Sequence, residues 1–466
     1  MNRTFVVRAF GSVWLALLVA ALIILAQSGL KLPRTIYADE VEYLTVSRNV
    51  LEHGVFSDVP FSDKAPAPNG FFAPVAPLLY AGLMKIDPEL HETIACQMAH
   101  RADPRPHCRI HYSLLTRGVM AALAVLGLWG SWVLARSFGL GPVGSWIVLA
   151  VVAASGSHAY FARHFLTELP LLAVFPFFLA LLARATDPAT RQLRALCIAL
   201  GLAMGALALI RPSYVYQAYF IILTLPLLRH FRGAAPIGGL GLGAVLWTAI
   251  GYAITVLPWM LRNAVQLGEF ALTTGYDTNI LAQRMMYNAM SWREWWMAWI
   301  YWLPDFGDTL GVALFGLEAV RKLSLLEPTG YHYAGNPPIA EFLRARIGDA
   351  PATLGNLLPH LLAEWPKHVA VTLVMAWQGL WAGKYITFVA LLLSPLALRV
   401  MALRGQLRGF LVVALPVLLM VGFNAFVSVS IPRYNLPLLW ISALVGAVVI
   451  EAALRYVTER QPGKQL

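Results

Sequence analysis

Charged residues are scarce in this sequence. Only 13% of its 466 residues are charged, whereas 59% are hydrophobic, and the mean hydropathy is +0.65. Soluble domains carry about 25% charged residues, so this composition excludes a soluble protein and indicates a polytopic membrane protein. The net charge is +11, but the arginines and lysines are scattered between apolar segments rather than gathered in one module. Membrane topology explains much of this excess, and no nucleic-acid partner is expected.

Cysteine is also rare, with three residues. Cys197 lies in an apolar run, which predicts a packing role. Cys96 and Cys108 flank a polar run, and a disulfide between them is expected if that loop faces an oxidising compartment. Zinc is the weaker interpretation, because the nearby histidines lack regular ligand spacing. These histidines are His91, His100, His107 and His111.

Three further features are missing. The first apolar segment, 10–30, is not followed by a small-residue cleavage site, so it is interpreted as a retained anchor rather than a signal peptide. There is no internal repeat of fixed period and no low-complexity tail. Transporters commonly show repeated halves, so the lack of a repeat disfavours transport.

Apolar runs long enough to cross a bilayer core of about 30 Å are frequent. Helix is the form expected of them, because open strands leave backbone groups unpaired in lipid. Ten spans are predicted, at 10–30, 112–134, 143–160, 167–184, 194–210, 213–229, 238–258, 385–401, 408–428 and 435–454.

The basic residues predict the orientation. With the N-terminus in the cytoplasm, the short cytoplasmic loops carry most of the flanking arginines, as the positive-inside rule requires. Both termini are then cytoplasmic, and two long connections, 31–111 and 259–384, lie outside. Neither connection resembles an independent domain, so residues 1–466 are predicted to form a single membrane domain.

Three segments of these connections are apolar but short for a span. The run 71–86 is interrupted by Pro74 and Pro77 and suits a helix in or near the interface. The Trp-rich run 292–303 is amphipathic. The run 364–381 is either another interfacial helix or half of an additional pair of spans.

An acidic motif follows the first span directly. Asp39 and Glu40 stand side by side within the run Tyr37–Tyr43. Carboxylates near hydrocarbon are costly and usually bind ligands, relay protons or catalyse. A solvated loop acid is the alternative.

The outer turns carry further polar residues. Positive-inside statistics should remove arginine from this side, yet each of these turns keeps one. Such arginines are either interfacial anchors or clamps for a phosphate-bearing ligand. The turns contain Arg163, His164 and Glu168; Arg211 and Tyr214; Arg262 and Asn263; and Arg433 and Tyr434.

An acid pair, arginines and a membrane together suit one chemistry. Sugar donors on the outer face are usually polyprenyl-linked phosphates, whose leaving phosphate needs charge stabilisation. The acceptor needs a carboxylate that takes its proton. One base with direct displacement inverts the anomeric centre, whereas a retaining route needs a second carboxylate nearby.

The order of these motifs resembles the GT-C class of integral-membrane glycosyltransferases. The similarity is to bacterial relatives of the protein O-mannosyltransferases, a branch that includes aminoarabinose and galacturonosyl transferases of lipopolysaccharide. It covers nearly the whole chain. The matching motifs are Asp39-Glu40-Val41-Glu42-Tyr43, Thr167-Glu168, Arg211-Pro212, Pro258-Trp259-Met260-Leu261-Arg262-Asn263 and Arg433-Tyr434-Asn435-Leu436-Pro437.

The resemblance implies a role for each residue. Asp39 would engage the acceptor with Glu40 as its catalytic partner, Glu168 would shape a sugar pocket, and the arginines would contact the donor phosphate. The substrate-binding candidates are Tyr43, Arg163, His164, Glu168, Arg211, Tyr214, Arg262, Asn263, Arg433 and Tyr434. The implied location is the bacterial plasma membrane, with the site on the periplasmic side and membrane lipids around the chain.

The chain departs from the family in being short and in lacking a large outer C-terminal domain. A lipid-linked or small glycan acceptor is therefore expected. No cofactor is required, because arginines neutralise a monophosphate, although a divalent cation would suit Asp39, Glu40 and Glu168. The alternatives are a transporter or flippase for a lipid-linked or anionic substrate and, less favoured, a non-catalytic assembly subunit.

Overall fold

A computed structural model describes residues 13–28, 36, 38–99, 108, 113–190, 192–233, 242–274, 276–332, 336–350 and 353–459. Regular structure in these residues is helical throughout, and no strand occurs among them. The predicted all-α class is therefore confirmed. In lipid this is the expected outcome, because a helix pairs its backbone groups internally.

The helices are numbered in chain order. The first eleven are α1 Val13–Ser28, α2 Ala38–His53, α3 Val75–Ile86, α4 Pro88–Ala99, α5 Leu114–Ser137, α6 Pro142–Ala154, α7 Ser157–Phe161, α8 Glu168–Ala185, α9 Leu193–Ile210, α10 Tyr214–Phe231 and α11 Leu242–Leu267. The next ten are α12 Tyr276–Met286, α13 Trp292–Tyr301, α14 Gly307–Phe315, α15 Leu317–Val320, α16 Asn336–Ile347, α17 Leu354–Ala363, α18 Trp365–Gly379, α19 Tyr385–Leu403, α20 Leu407–Val427 and α21 Leu438–Glu459. Short 3₁₀ helices occupy Tyr287–Ala289, Arg321–Leu323, Leu380–Gly383 and Pro432–Asn435.

Seven of these helices are long and apolar enough to cross a membrane within the described part of the chain. They are α5, α8, α9, α11, α19, α20 and α21. The protein is therefore a multi-pass membrane protein, and each of these helices falls on a predicted span. Helix α10 has 18 residues but is more polar than these seven helices. The span predicted at 10–30 extends beyond the described residues on both sides of α1.

The span predicted at 143–160 is wrong as a single helix. Helix α6 ends at Ala154 after 13 residues, which is about 20 Å at 1.5 Å per residue. Gly156 follows with a φ of 67°, and the short helix α7 begins after it. A left-handed glycine ends a helix readily, so the apolar run is divided although its hydropathy is continuous.

Two other boundaries differ from the predictions. Helix α11 continues to Leu267, so Pro258 and Arg262 lie within the helix and not in a turn after residue 258. Pro74 and Pro77 do not interrupt their helix, because Pro74 is the N-cap of α3 and Pro77 lies in its first turn. Proline is tolerated in a first turn, where the backbone N–H has no partner within the helix.

The described residues fall into two compact units. Unit 1 lies within Met1–Thr274, Leu393–Val413 and Ala443–Leu466, and unit 2 lies within Gly275–Leu392 and Ala414–Ser442. In unit 1, α9 packs against α11 at Gly201 and Gly251, where an added Cβ would collide with backbone carbonyl oxygens of the facing helix. Small residues at such crossings let the backbones approach closely.

Buried Asp87 ties the ends of three helices of unit 1 together. It is 2% exposed and follows α3. Its carboxylate accepts hydrogen bonds from the backbone N–H groups of Leu90 and Ser113, at 3.2 and 3.1 Å, and from the Thr116 hydroxyl. Burial acts to raise the pKa of Asp87, but the hydrogen bonds from Ser113 and Thr116 outweigh it and lower the pKa.

A disulfide closes the end of the first long connection. Cys96 and Cys108 are bonded, with their Cα atoms 5.2 Å apart. Of the histidines in this region, His100, His107 and His111 lie outside the described residues.

Unit 2 has its own core beneath the Trp-rich helix. Met297 and Ala298 of α13 are buried against Val371 and Met375 of α18, together with Val429. Ser291 caps α13 in a capping box with Glu294, which explains why the helix begins at Trp292. The 364–381 run forms α18 of 15 residues, shorter than a span requires, followed by a 3₁₀ turn.

Candidate active site

The acidic motif forms the start of a helix rather than a loop. Asp39 and Glu40 occupy the first turn of α2, where negative charge is favoured by the helix dipole. Asp39 is partly buried, whereas Glu40 is 1% exposed. Tyr43, one turn later, packs against Phe72 with ring centroids 5.1 Å apart. Neighbouring carboxylates thus occupy different environments.

Glu40 holds a distant stretch of backbone. Its Oε1 accepts a hydrogen bond of 2.7 Å from the backbone N–H of Phe165, which lies 125 residues along the chain. Tyr80 of α3 holds the same stretch, because its hydroxyl donates to the carbonyl of Leu166 and its ring lies 5.1 Å from that of Phe165. We call Ala162–Glu168, which joins α7 to α8, the connecting segment. Two separate helices therefore position it.

An ion pair anchors the end of this segment. The Nη2 atom of Arg211 lies 2.8 Å from Oε1 of Glu168 and also donates to the Thr167 hydroxyl at 3.3 Å. The Glu168 side chain is 1% exposed and that of Arg211 is 13% exposed. Glu168 begins α8 and Arg211 directly follows α9, so the turns at these two helix ends meet.

Asp39, Glu40, the connecting segment and Arg211 together form what we call the acid–arginine cluster. The roles that the resemblance implies for residues of all the outer turns require these turns to meet at one site. Within unit 1, the structure joins three of them through the contacts of Glu40, Glu168 and Arg211. The carboxylate of Glu168 balances the guanidinium, so this group is held rigidly in a site where charge is poorly solvated.

The other candidates on the connecting segment lie beside one aromatic ring. The His164 ring lies 4.3 Å from that of Tyr160, inclined to it by 27°, and its Nδ1 is 2.8 Å from the Tyr160 carbonyl oxygen. The Arg163 guanidinium is 6.0 Å from the same ring.

Tyr214 is 2% exposed and packs on Phe175, with ring centroids 5.7 Å apart.

Arg262 and Asn263 hold loops of unit 1 in place. Arg262 donates to the backbone carbonyls of Asn69, at 2.9 Å, and Phe56, at 3.3 Å. Asn263 donates to the carbonyl of Ala271 at 2.8 Å and accepts from Arg262. Arg262 thus joins α11 to the loop after α2, and Asn263 joins it to the residues that follow α11.

The last two candidates belong to unit 2. Arg433 and Tyr434 lie in a 3₁₀ turn, with the guanidinium 5.3 Å from the Tyr434 ring. Asn435 beside them is buried and bonded to Asn424 and Ser430, at 3.0 and 3.1 Å. This network fixes the turn that precedes α21.

Comparisons with known proteins add little. No protein-family model matches the chain, and no curated protein matches it. Among solved structures, the chain is similar to the crystal structure of ArnT from Cupriavidus metallidurans bound to undecaprenyl phosphate. The identity is 16%, the match covers 98% of this chain and 81% of that chain, and the TM-score is 0.39.

Metal binding has no geometric support in the described part of the chain. Nowhere among those residues do three His, Cys, Asp or Glu side chains come together in a group that could hold an ion. Asp39, Glu40 and Glu168, the carboxylates suggested for a divalent cation, form no such group, and Glu40 and Glu168 are engaged with Phe165 and Arg211.

Two residues that hold or belong to the connecting segment, Tyr80 and Thr167, were not predicted from the sequence as site residues. Tyr80 lies in an apolar helix, where its hydroxyl was the only signal, since a buried tyrosine usually needs a partner for that group. It is fully buried, and it uses this hydroxyl to hold the connecting segment. Thr167 directly precedes Glu168, and the Thr167-Glu168 motif alone predicts no separate role for it.

Proposed function

We propose that this protein is a GT-C-type glycosyltransferase of the plasma membrane. It transfers a sugar from a polyprenyl-phosphate donor to a lipid-linked or glycan acceptor on the outer face, with inversion. The observation that supports this most is the acid–arginine cluster. Glu40, Tyr80 and Arg211, from three distant parts of the chain, all hold the connecting segment.

Asp39 serves as the base in this proposal. It is partly exposed and so accessible to an acceptor hydroxyl, whereas its neighbour Glu40 is buried and occupied by the Phe165 N–H group. The acceptor oxygen bonds to the anomeric carbon while its proton passes to the Asp39 carboxylate. The bond from the anomeric carbon to the phosphate oxygen breaks, and its electron pair leaves with the polyprenyl phosphate.

Arg211 and Arg163 stabilise the departing phosphate. Arg211 is oriented beforehand by Glu168, at 2.8 Å, so its guanidinium needs little reorganisation as negative charge develops. Guanidinium groups recognise phosphate in bidentate fashion. A divalent cation is not required by this scheme, because the leaving group is a monophosphate.

The test is donor cleavage by the purified full-length protein and its Asp39→Asn variant. The substrates are a polyprenyl-phosphate sugar and a membrane lipid extract, and the readout is released polyprenyl phosphate. We expect a loss of about 10²-fold or more in Asp39→Asn, because an amide does not accept the proton.

Glu42→Gln is the matched control, since it removes a carboxylate of the same helix from an exposed position. It should keep the wild-type rate. Wild-type release by Asp39→Asn would remove Asp39 from the mechanism. Transfer of the sugar lipid across the membrane without any release of polyprenyl phosphate would instead favour a flippase.

A further inference from the structure

Unit 2 contains a cavity separate from the residues assigned to the active site. Its volume is about 350 Å³, and none of the residues proposed for catalysis or donor binding lines it. Sites for small molecules have volumes of about 300–1,000 Å³ and are mostly apolar, with a few convergent polar groups. The cavity is therefore large enough for one small ring compound.

One wall of the cavity presents an acceptor and two donors. Glu364 receives hydrogen bonds from the guanidinium of Arg346 and from the side-chain amide of Asn288, the latter at 2.9 Å. Arg346 and Glu364 are partly exposed, at 25% and 31%, so they are accessible from the cavity. A carboxylate has about four lone-pair sites, so the two bonds seen among the described residues leave capacity for ligand hydroxyls.

A buried arginine makes this wall rigid. Arg284 is fully buried and donates to Oδ1 of Asn288 at 3.1 Å, which orients the amide toward Glu364. Its other N–H groups bind the carbonyls of Ala425, at 2.6 Å, and His368, at 3.0 Å. The hydrogen bond from Arg284 thus fixes the rotamer of Asn288, and a binding site requires side chains that are held in this way.

The rest of the lining is largely apolar. Met286 and Pro328 line the cavity and are at least partly exposed, so their side chains offer a surface for C–H groups, whereas the Phe342 ring is stacked on the Arg346 guanidinium, 4.0 Å away. Tyr331 lines it too, and its hydroxyl donates to Glu294 at 3.0 Å while its backbone N–H binds the Lys322 carbonyl at 3.2 Å.

The charge of the polar wall selects the ligand. The carboxylate of Glu364 and the guanidinium of Arg346 neutralise each other, so an anion would have to break their pairing. A neutral ring with several hydroxyls and an apolar C–H face suits both walls. We propose that this cavity binds a neutral pyranose unit.

The test measures binding and not turnover. The full chain is placed in phospholipid nanodiscs, free of glycoside detergents, and saturation-transfer NMR is recorded with methyl pyranosides of glucose, galactose and mannose. Ala289→Trp should abolish the signal, because Ala289 is exposed and lines the cavity. Ala345→Trp is the matched control, at an exposed position of α16 outside the lining, and should keep the signal.

A second variant tests the polar wall. Glu364→Gln should weaken pyranoside binding about tenfold, because hydrogen bonds to a charged acceptor are lost. Both measurements record binding and not turnover, so failure of the catalytic proposal would not be mistaken for failure of this one. Three results would overturn the inference: no signal from any pyranoside with wild type, an unchanged signal in Ala289→Trp, or preference for methyl glucuronide over methyl glucoside.

Discussion

The ion pair between Arg211 and Glu168 allows structure and chemistry to be separated by substitution. The two groups are 2.8 Å apart, and the Glu168 side chain is 1% exposed. Arg211→Ala therefore leaves a carboxylate without its main cationic partner in a poorly solvated place. Removing one member of a buried pair costs about 3–5 kcal/mol, and we expect the free energy of unfolding to fall by this amount.

The double variant Arg211→Ala/Glu168→Gln should recover much of that loss. It removes both charges, so no ion is left uncompensated, and residues in direct contact commonly couple by about 0.5–3 kcal/mol. We expect a coupling near the upper end of this range, because burial strengthens the interaction. Arg194→Ala is a control at the other, exposed end of α9 and should cost less than about 1 kcal/mol.

Reversible unfolding in mixed micelles measures these free energies, and donor cleavage is measured on the same samples. If Arg211 contacts the donor phosphate, the double variant folds but stays inactive. If Arg211 only balances Glu168, activity returns together with stability. Additive losses from the two single substitutions would refute the reasoning, since they would show that the pair does not interact energetically.

Three other substitutions test individual contacts. Glu40→Ala should cost about 1–3 kcal/mol of stability, because the backbone N–H of Phe165 loses this acceptor, whereas Glu40→Gln keeps an acceptor oxygen and should cost less; equal losses would contradict this role. The pKa of Asp87 is lowered in the folded state, so its contribution to the free energy of unfolding is present above its ordinary pKa of 3.8 and is lost as the pH falls through the lower folded value. Wild type should therefore lose stability on acidification below about pH 4. Asp87→Asn should lack this loss when unfolding is measured against pH. Replacing Cys96 and Cys108 together by serine should cost about 3 kcal/mol, the value for a loop of this length, and reductant should then have no further effect.

Much of the fold could be predicted because the governing signal is local. Each of the seven helices able to span a membrane falls on a predicted apolar run, since a stretch of about 20 apolar residues in lipid has few alternatives to helix. Hydropathy averages over many residues, however, and so it missed single positions. Gly156 divides one predicted span, and Pro74 begins a helix that the proline pattern appeared to interrupt.

The contacts of the candidate site were even less predictable from local sequence patterns. The amino-acid sequence identifies which unusual residues stand beside apolar runs, because a charge next to such a run can be read directly. What each of these residues contacts depends on how the helices pack. Glu40 binds the backbone of Phe165, 125 residues away, and Arg262 binds the carbonyl of Asn69, 193 residues away. Helix packing brings such partners together, and the local sequence pattern of one segment carries no information about the other.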